Sequence, residues 1–487
     1  MKALPKASSL IPASLVSISL LVSISTHAYA GDPNRAPTPN KTESKTIDPN
    51  RYLKPFEENS LWKSRPVSPT FSNFTIPASN FNPYLVEGTW STGCFYTDER
   101  DSAITIKLSP GQKGVYDADA ETFFPQVEIP HWPADVKPAS GLDGHADIYD
   151  VSTGVIHSFW KLRNDNGIWT ARQYAWSPIN GSGWPNPAHY YQGARAVGVS
   201  ACAGIIRKHE VQSTDSIYPH ALAMSLDKSG LSKDYIYPAT SADATSKENT
   251  GQIPEGALVM LPPNFDINQI KTPEVLKVAN TLKAYGAYII DRNSGTPFMI
   301  YVENGSGLNL NKNGANKQAE KEFQLIRQSL RMVTSAKSWV NDQGQPFLPE
   351  KNLNILSMRG PWCVFRGSAC VSDPSGKYDT WKQAFIFGKT TAVVSQTNQT
   401  GRNISQVEWA KPKPGEKFKL TAKSTGGAKL RFVLRDAKWN TKIDSYQLVN
   451  DQSITFIWPK DVVKSYIYVT SGIGDSSSVS GTLVRVK

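Results

Sequence analysis

Residues 142–177 read LDGHADIYDVSTGVIHSFWKLRNDNGIWTARQYAWS. The stretch divides into three short runs of strand-like alternation, joined at STG (152–154) and NDNG (164–167). Asn-Gly after a polar pair signals a tight turn between strands. Side chains on a strand point to opposite faces with a period of two. A first strand therefore gathers Asp143, His145, Asp147 and Tyr149 on one face, and a third gathers Thr170, Arg172, Tyr174 and Trp176. A half-buried sheet shows apolar residues on at least one face, whereas these two are polar and aromatic. Such a surface suits a sugar-binding groove, where flat rings stack and carboxylates accept hydroxyl hydrogen bonds. A solvent-facing strand with ordinary polar side chains would produce the same pattern.

The 487 residues exceed one ordinary domain. Hydrophobic content of 39% with 13 Trp, 19 Tyr and 18 Phe implies folded, aromatic-rich domains, and 34 Gly with 33 Pro favour turns and β structure. The N-terminus has the form of a secretory signal. Lys2 and Lys6 supply its positive region, Leu10 to Ile24 its apolar region, and Ala28-Tyr29-Ala30 its cleavage site. A secreted or periplasmic product with no membrane span is expected. Its formal charge of +11 falls to +9 without Lys2 and Lys6. Secretion argues against nucleic acid as a partner; an acidic polysaccharide or an anionic envelope would profit from the charge, and general solubility would explain it equally well.

A secreted chain permits disulfides. Cys363 and Cys370 bracket a short loop and make the favoured pair, leaving Cys94 with Cys202, although four cysteines allow three pairings.

Residues 31–70, rich in Pro, Asn, Lys and Ser, read as a flexible or surface-hugging leader. The expected architecture is mainly β: an N-terminal β-sandwich or jelly roll over 71–345 carrying two helices, and a C-terminal β-sandwich over 350–487 resembling a carbohydrate-binding module. Thr272-Pro273-Glu274 opens the first helix and Gly286 closes it. The second runs from about Lys317 to Val333, with Phe323, Ile326 and Leu330 on one face. Six strand-like runs follow between Lys417 and Lys487, among them Ile443 to Val449, and an exposed Trp439 is suited to a binding module.

Two chemistries fit the polar strands. A glycoside hydrolase needs two carboxyl groups, one kept protonated for the leaving oxygen. A polysaccharide lyase needs a neutralised uronate carboxylate with a base and an acid; Arg172, His145 and Tyr174 or Tyr149 could fill those roles. The candidate catalytic residues are therefore His145, Asp147, Arg172 and Tyr174, with Asp143 in support. Asp-x-His-x-Asp could also hold a hard divalent cation; no other cofactor is implied. Trp176, Trp184, His189 and Tyr190 are candidate sugar contacts, as is Tyr149. Asp243 and Glu255 read as loop acids, and His220 as a satisfied core histidine. The chain lacks a GxSxG elbow, an HExxH helix, a phosphate-cradling glycine loop and a dinucleotide fingerprint. A non-catalytic glycan- or envelope-binding protein is the rival reading.

The succession DIYD (147–150), AGIIRKHE (203–210), HALAM (220–224), YPATSAD (237–243), IPEG (253–256) and YGAYIID (285–291) resembles a family of secreted bacterial and fungal proteins. The resemblance covers about a third of the chain and implies a secreted, glycan-related role. Ser-Ala-Asp-Ala follows YPAT where the family pattern leads us to expect Asp-Gly.

Overall fold

The structure is a computed structural model and describes residues 52–312, 314–367, 369–398, 404 and 407–487. The signal segment and the start of the leader lie outside the described residues. Strand accounts for 37% against 10% helix, so the chain is mainly β as expected.

The opening stretch forms strands Ala146–Asp150 and Val155–Trp160, then divides at Arg172 into Ile168–Ala171 and Gln173–Pro178. Those last two strands belong to different sheets. Gln173–Pro178 joins a six-stranded sheet between Val155–Trp160 and Val115–Asp117, while Ile168–Ala171 joins a four-stranded sheet beside Ile104–Leu108. Apolar side chains such as Ile106, Val127, Ile148, Phe159 and Ala171 fill the space between these sheets.

A seven-stranded mixed sheet follows, ordered Thr70–Phe71, Arg331–Ser335, Leu258–Met260, Ala287–Asn293, Leu222–Asp227, Phe298–Tyr301 and Tyr84–Val86. Alternation along its strands separates two cores. Leu222, Met224, Ile289 and Ile300 meet helices Pro273–Ala284 and Lys317–Ser329 on one side. Ala223, Tyr288, Ile290 and Tyr301 pack with Tyr149 and Ile156 of the six-stranded sheet on the other. Both helices start where expected, the first on its N1 proline and the second under an Asn316 side-chain cap. The second ends at Ser329, because Leu330 turns extended and Arg331–Ser335 pairs with two strands at once.

Of the flexible or surface-hugging leader, the described residues 52–70 follow the surface and are anchored in the fold through Phe56, Leu61 and Trp62, so this part is not flexible. Trp62 is 1% exposed, donates its indole N–H to the Gly183 carbonyl at 3.1 Å, and stacks on Trp184 at 4.9 Å. The C-terminal strands form sheets of five and four strands around Phe418, Leu430, Phe432, Ile467 and Leu483. The hairpin of Gly376–Asp379 and Ala384–Phe387 extends that core onto the six-stranded sheet. There Trp381 stacks on Trp176 at 4.7 Å, and Gln383 donates to Asp119 at 2.8 Å.

Candidate active site

The polar face expected on the first strand is covered. Asp147 is fully buried and accepts the Ser158 hydroxyl at 2.5 Å and the Cys202 backbone N–H at 2.7 Å. Burial, working against those bonds, raises its carboxyl to about 6. Tyr149 is also fully buried, under the Arg207 guanidinium. His145 is 3% exposed, and burial followed by the charge of Arg195 holds its imidazole well below the usual range. An open sheet floor therefore does not form here: the loop through Ala194 and Cys202 closes over it.

The remaining candidates separate. Tyr174 is buried with its hydroxyl on His157 Nδ1 at 2.9 Å, on the side of Trp381. Trp176 and His189 pack ring against ring in the same seam, and Tyr190 lies under the Arg359 guanidinium at 3.8 Å. Trp184 belongs to the core stack with Trp62 and Tyr288. These rings are committed to packing, which corrects their reading as an exposed sugar platform. Arg172 is exposed and lies over the Trp160 ring at 5.2 Å, where Lys161 also sits at 4.8 Å. The Trp160 indole donates to Asp143 at 3.0 Å, and both residues are half-buried. Both disulfides, Cys94–Cys202 and Cys363–Cys370, are formed.

A second concentration of polar groups adjoins Asp143 and His145, and a β-bulge creates it. The register between Leu222–Asp227 and Ala287–Asn293 slips by one residue after Met224–Ile289, so that Asp291 stands opposite Ser225. A bulge re-aims the side chains that follow it. Here it turns Asp291 onto the side of Tyr301 and Arg195 rather than toward the helices. Arg195 is 2% exposed, places its guanidinium 4.1 Å from the Tyr301 ring centroid, and reaches Asp291 at 3.4 Å. Its Nε and second terminal nitrogen meet no acceptor, and His145 Nδ1 and Glu255 Oε1 are equally unpartnered. Buried donors and acceptors left open are costly, and four in adjoining residues mark this place as one not arranged for stability alone.

Burial raises Asp291 to about 6; Arg195 opposes that shift, and the charges of Asp243 and Asp143 add to it. Burial raises Glu255 to about 8, against the hydrogen bond that its Oε2 accepts from the Asp243 N–H at 2.8 Å. Glu255 is thus a fully buried strand residue rather than a loop acid. Asp291 keeps 18% of its side-chain surface, and Asp143 and Asp243, whose charges act on it, are half-buried. His220 is a satisfied histidine, bonded to Glu210 at 3.1 Å and to the Ala221 carbonyl at 2.8 Å.

Composition-led reading passed over Arg195 and Asp291. Each was legible as a lone charge in an apolar run, ARAVGVSACAGII (194–206) and AYII (287–290) followed by Asp291. Four of the motif segments quoted above supply Asp147, Asp243, Glu255 and Asp291. No group of three or more His, Cys, Asp or Glu among the described residues is placed to hold a metal ion. A neighbouring surface cleft of about 340 Å³, lined by Lys137, Pro138, Ala139, Arg163, Asn164 and Trp169, contains no acid. No helix among the described residues is long and apolar enough to cross a membrane.

No family model and no curated protein matches the chain. Among solved structures it is similar to a glycosylation-associated protein complex (Gap123) from Streptococcus agalactiae, at 15% identity over 26% of this chain and 44% of that one, with a TM-score of 0.20. It is also similar to the endo-1,4-beta-D-xylanase 10B N-terminal modules of Clostridium thermocellum, at 12% identity over 28% and 27% of the two chains and a TM-score of 0.15. A mutant of the carbohydrate-binding module CBM29-2 gives 15% identity over 23% and 76%, with a TM-score of 0.14. The chain spans less than half the length of the first two. Likenesses this slight fix neither its fold nor its function.

Proposed function

We propose that the chain is a secreted polysaccharide-degrading protein and that it hydrolyses its substrate at Asp291 and Asp143. One observation carries the choice of hydrolysis: the groups of the cluster that keep surface are carboxylates, while His145 and Arg195 are buried. Most glycosidic hydrolysis runs on a pair of carboxyl groups, one acid and one base or nucleophile. β-Elimination would need the imidazole or a tyrosine to reach the sugar, and Tyr301 is 2% exposed.

Asp291, raised to about 6, is the acid. It gives its proton to the glycosidic oxygen as the C–O bond breaks. Asp143, oriented by the Trp160 indole, takes a proton from the attacking water or attacks the anomeric carbon itself. Arg195 is a positioning residue, holding Asp291 toward the opening and compensating its charge once the proton has left.

The test is a panel of neutral and acidic polysaccharides incubated with the whole protein, scored for new reducing ends and for the near-ultraviolet absorbance of unsaturated sugars. Reducing ends without that absorbance support hydrolysis. Absorbance would move the assignment to elimination, and retention without shortening would make the protein a binder.

A further inference from the structure

The four-stranded C-terminal sheet has one face in the core and one outside. Leu430, Phe432, Leu434, Ile467 and Val469 point inward. Cross-strand register then places Arg431 beside Tyr468, Val433 beside Tyr466 and Arg435 beside Lys464 on the other face, where Val433 and Tyr466 are themselves covered and the residues around them carry the surface. The Tyr466 and Tyr468 rings lie 6.1 Å apart at 21°, and the Trp439 ring continues the row 6.2 Å from Tyr466. Trp439 is 55% exposed and Tyr446 is 74% exposed, one on either side of strand Thr441–Asp444.

Both exposed residues adopt left-handed backbone, Trp439 at φ +68° and Tyr446 at φ +52°. That region is unfavourable for a bulky L residue, and such strain persists only where its surroundings impose it. Here they do: Asp436 accepts the Lys438 and Asn440 N–H groups at 2.9 Å each, Arg435 binds the Trp439 carbonyl at 2.9 Å, and Asp444 accepts the Tyr446 N–H at 2.9 Å. Two strained turns thus hold out two large rings that stay more than half exposed, Trp439 over the buried Tyr466 and Tyr446 in solvent. A ligand with flat faces would use the surface they present.

The charge on this face selects the ligand. Asp444 is bound by Arg431 and Asp436 by Lys442. Arg435 and Lys464 remain as surplus positive charge, with Lys464 Nζ 4.0 Å from the Trp439 ring centroid.

We propose that this outer face is a non-catalytic platform for an extended acidic polysaccharide. Its sugar rings rest on Trp439, Tyr468 and Tyr446, and its anionic groups meet Arg435 and Lys464. The platform shares with the proposed hydrolase only the class of ligand, and no residue.

The whole protein is run through native gels containing polygalacturonate, alginate or neutral mixed-linkage β-glucan. Wild type is expected to be retarded by at least one acidic polymer, less so as salt is raised, and not by the glucan. Trp439→Ala and Tyr446→Gly should each weaken retention at least tenfold. Tyr446→Gly should also raise the melting temperature, since glycine relieves the strain; a purely structural tyrosine would not lose retention while the fold gained stability. Asp291→Asn should be retarded like wild type whether or not it still cleaves, which separates this face from the proposed active site. Passage of wild type through both acidic gels unretarded, equal retention of both aromatic variants, or equal retardation by the glucan would overturn the proposal.

Discussion

Asp147 accepts the backbone N–H of Cys202 at 2.7 Å, and so joins the strand Ala146–Asp150 to the loop that closes over it. Its other oxygen takes the Ser158 hydroxyl, which in turn accepts the Ala194 N–H at 3.1 Å. One carboxylate thereby fixes both ends of the segment carrying Arg195. Charge-assisted bonds of this kind contribute roughly 1.5–3 kcal/mol each. Asp147→Ala is expected to lower the unfolding free energy by about 3 kcal/mol or more in a denaturant titration, and Asp147→Asn, which keeps an acceptor, by about half as much.

The disulfides differ in how much chain they close. Cys94 and Cys202 are 108 residues apart and buried, while Cys363 and Cys370 are 7 apart. Loop-closure entropy grows with the enclosed length, giving roughly 4–5 kcal/mol for the long loop and roughly 2 kcal/mol for the short one. The double variant Cys94→Ala/Cys202→Ala should lose about twice as much stability as Cys363→Ala/Cys370→Ala, measured by thermal or denaturant unfolding.

Glu255 makes stability depend on pH in the direction opposite to a salt-bridged acid. Burial raises its carboxyl from 4.5 to about 8 in the folded chain. Between those values the folded state binds the proton and the unfolded state does not, so stability falls as pH rises through the window. Glu255→Gln removes this dependence, leaving a constant offset from its unpartnered amide. The unfolding free energy of the variant minus that of wild type should rise by up to about 4 kcal/mol between pH 5 and pH 8. A difference that stays flat would show that Glu255 is ionised throughout.

Much of the fold was legible because it depends on local pattern. The C-terminal strands Lys417–Thr425, Lys429–Arg435 and Ser453–Ile457 fall within a residue of their alternation, and a Pro at N1 with Gly286 behind it bounds the first helix. The run Ile443 to Val449 fails as a strand because Tyr446 turns left-handed; Thr441–Asp444 pairs instead. The site was less legible, because alternation says which side chains share a face and not what covers it. Asp147 and Tyr149 do lie on one face of their strand, but a loop some 50 residues downstream seals Asp147. Arg172 and Tyr174 were parted when the chain changed sheets between them. Asp291 faces Arg195 only through a bulge that depends on the neighbouring strand.

Asp291 is the residue on which the proposed chemistry turns. The rate of reducing-end release by Asp291→Asn, measured on whichever polysaccharide the wild type shortens, is the most direct test. Loss of general acid catalysis should cut that rate by roughly 10²–10⁴-fold; the variant also leaves the buried Arg195 without its carboxylate and is expected to be less stable than wild type, so the rate is read at a temperature where circular dichroism shows it fully folded. A folded Asp291→Asn variant that releases reducing ends at the wild-type rate would contradict the assignment.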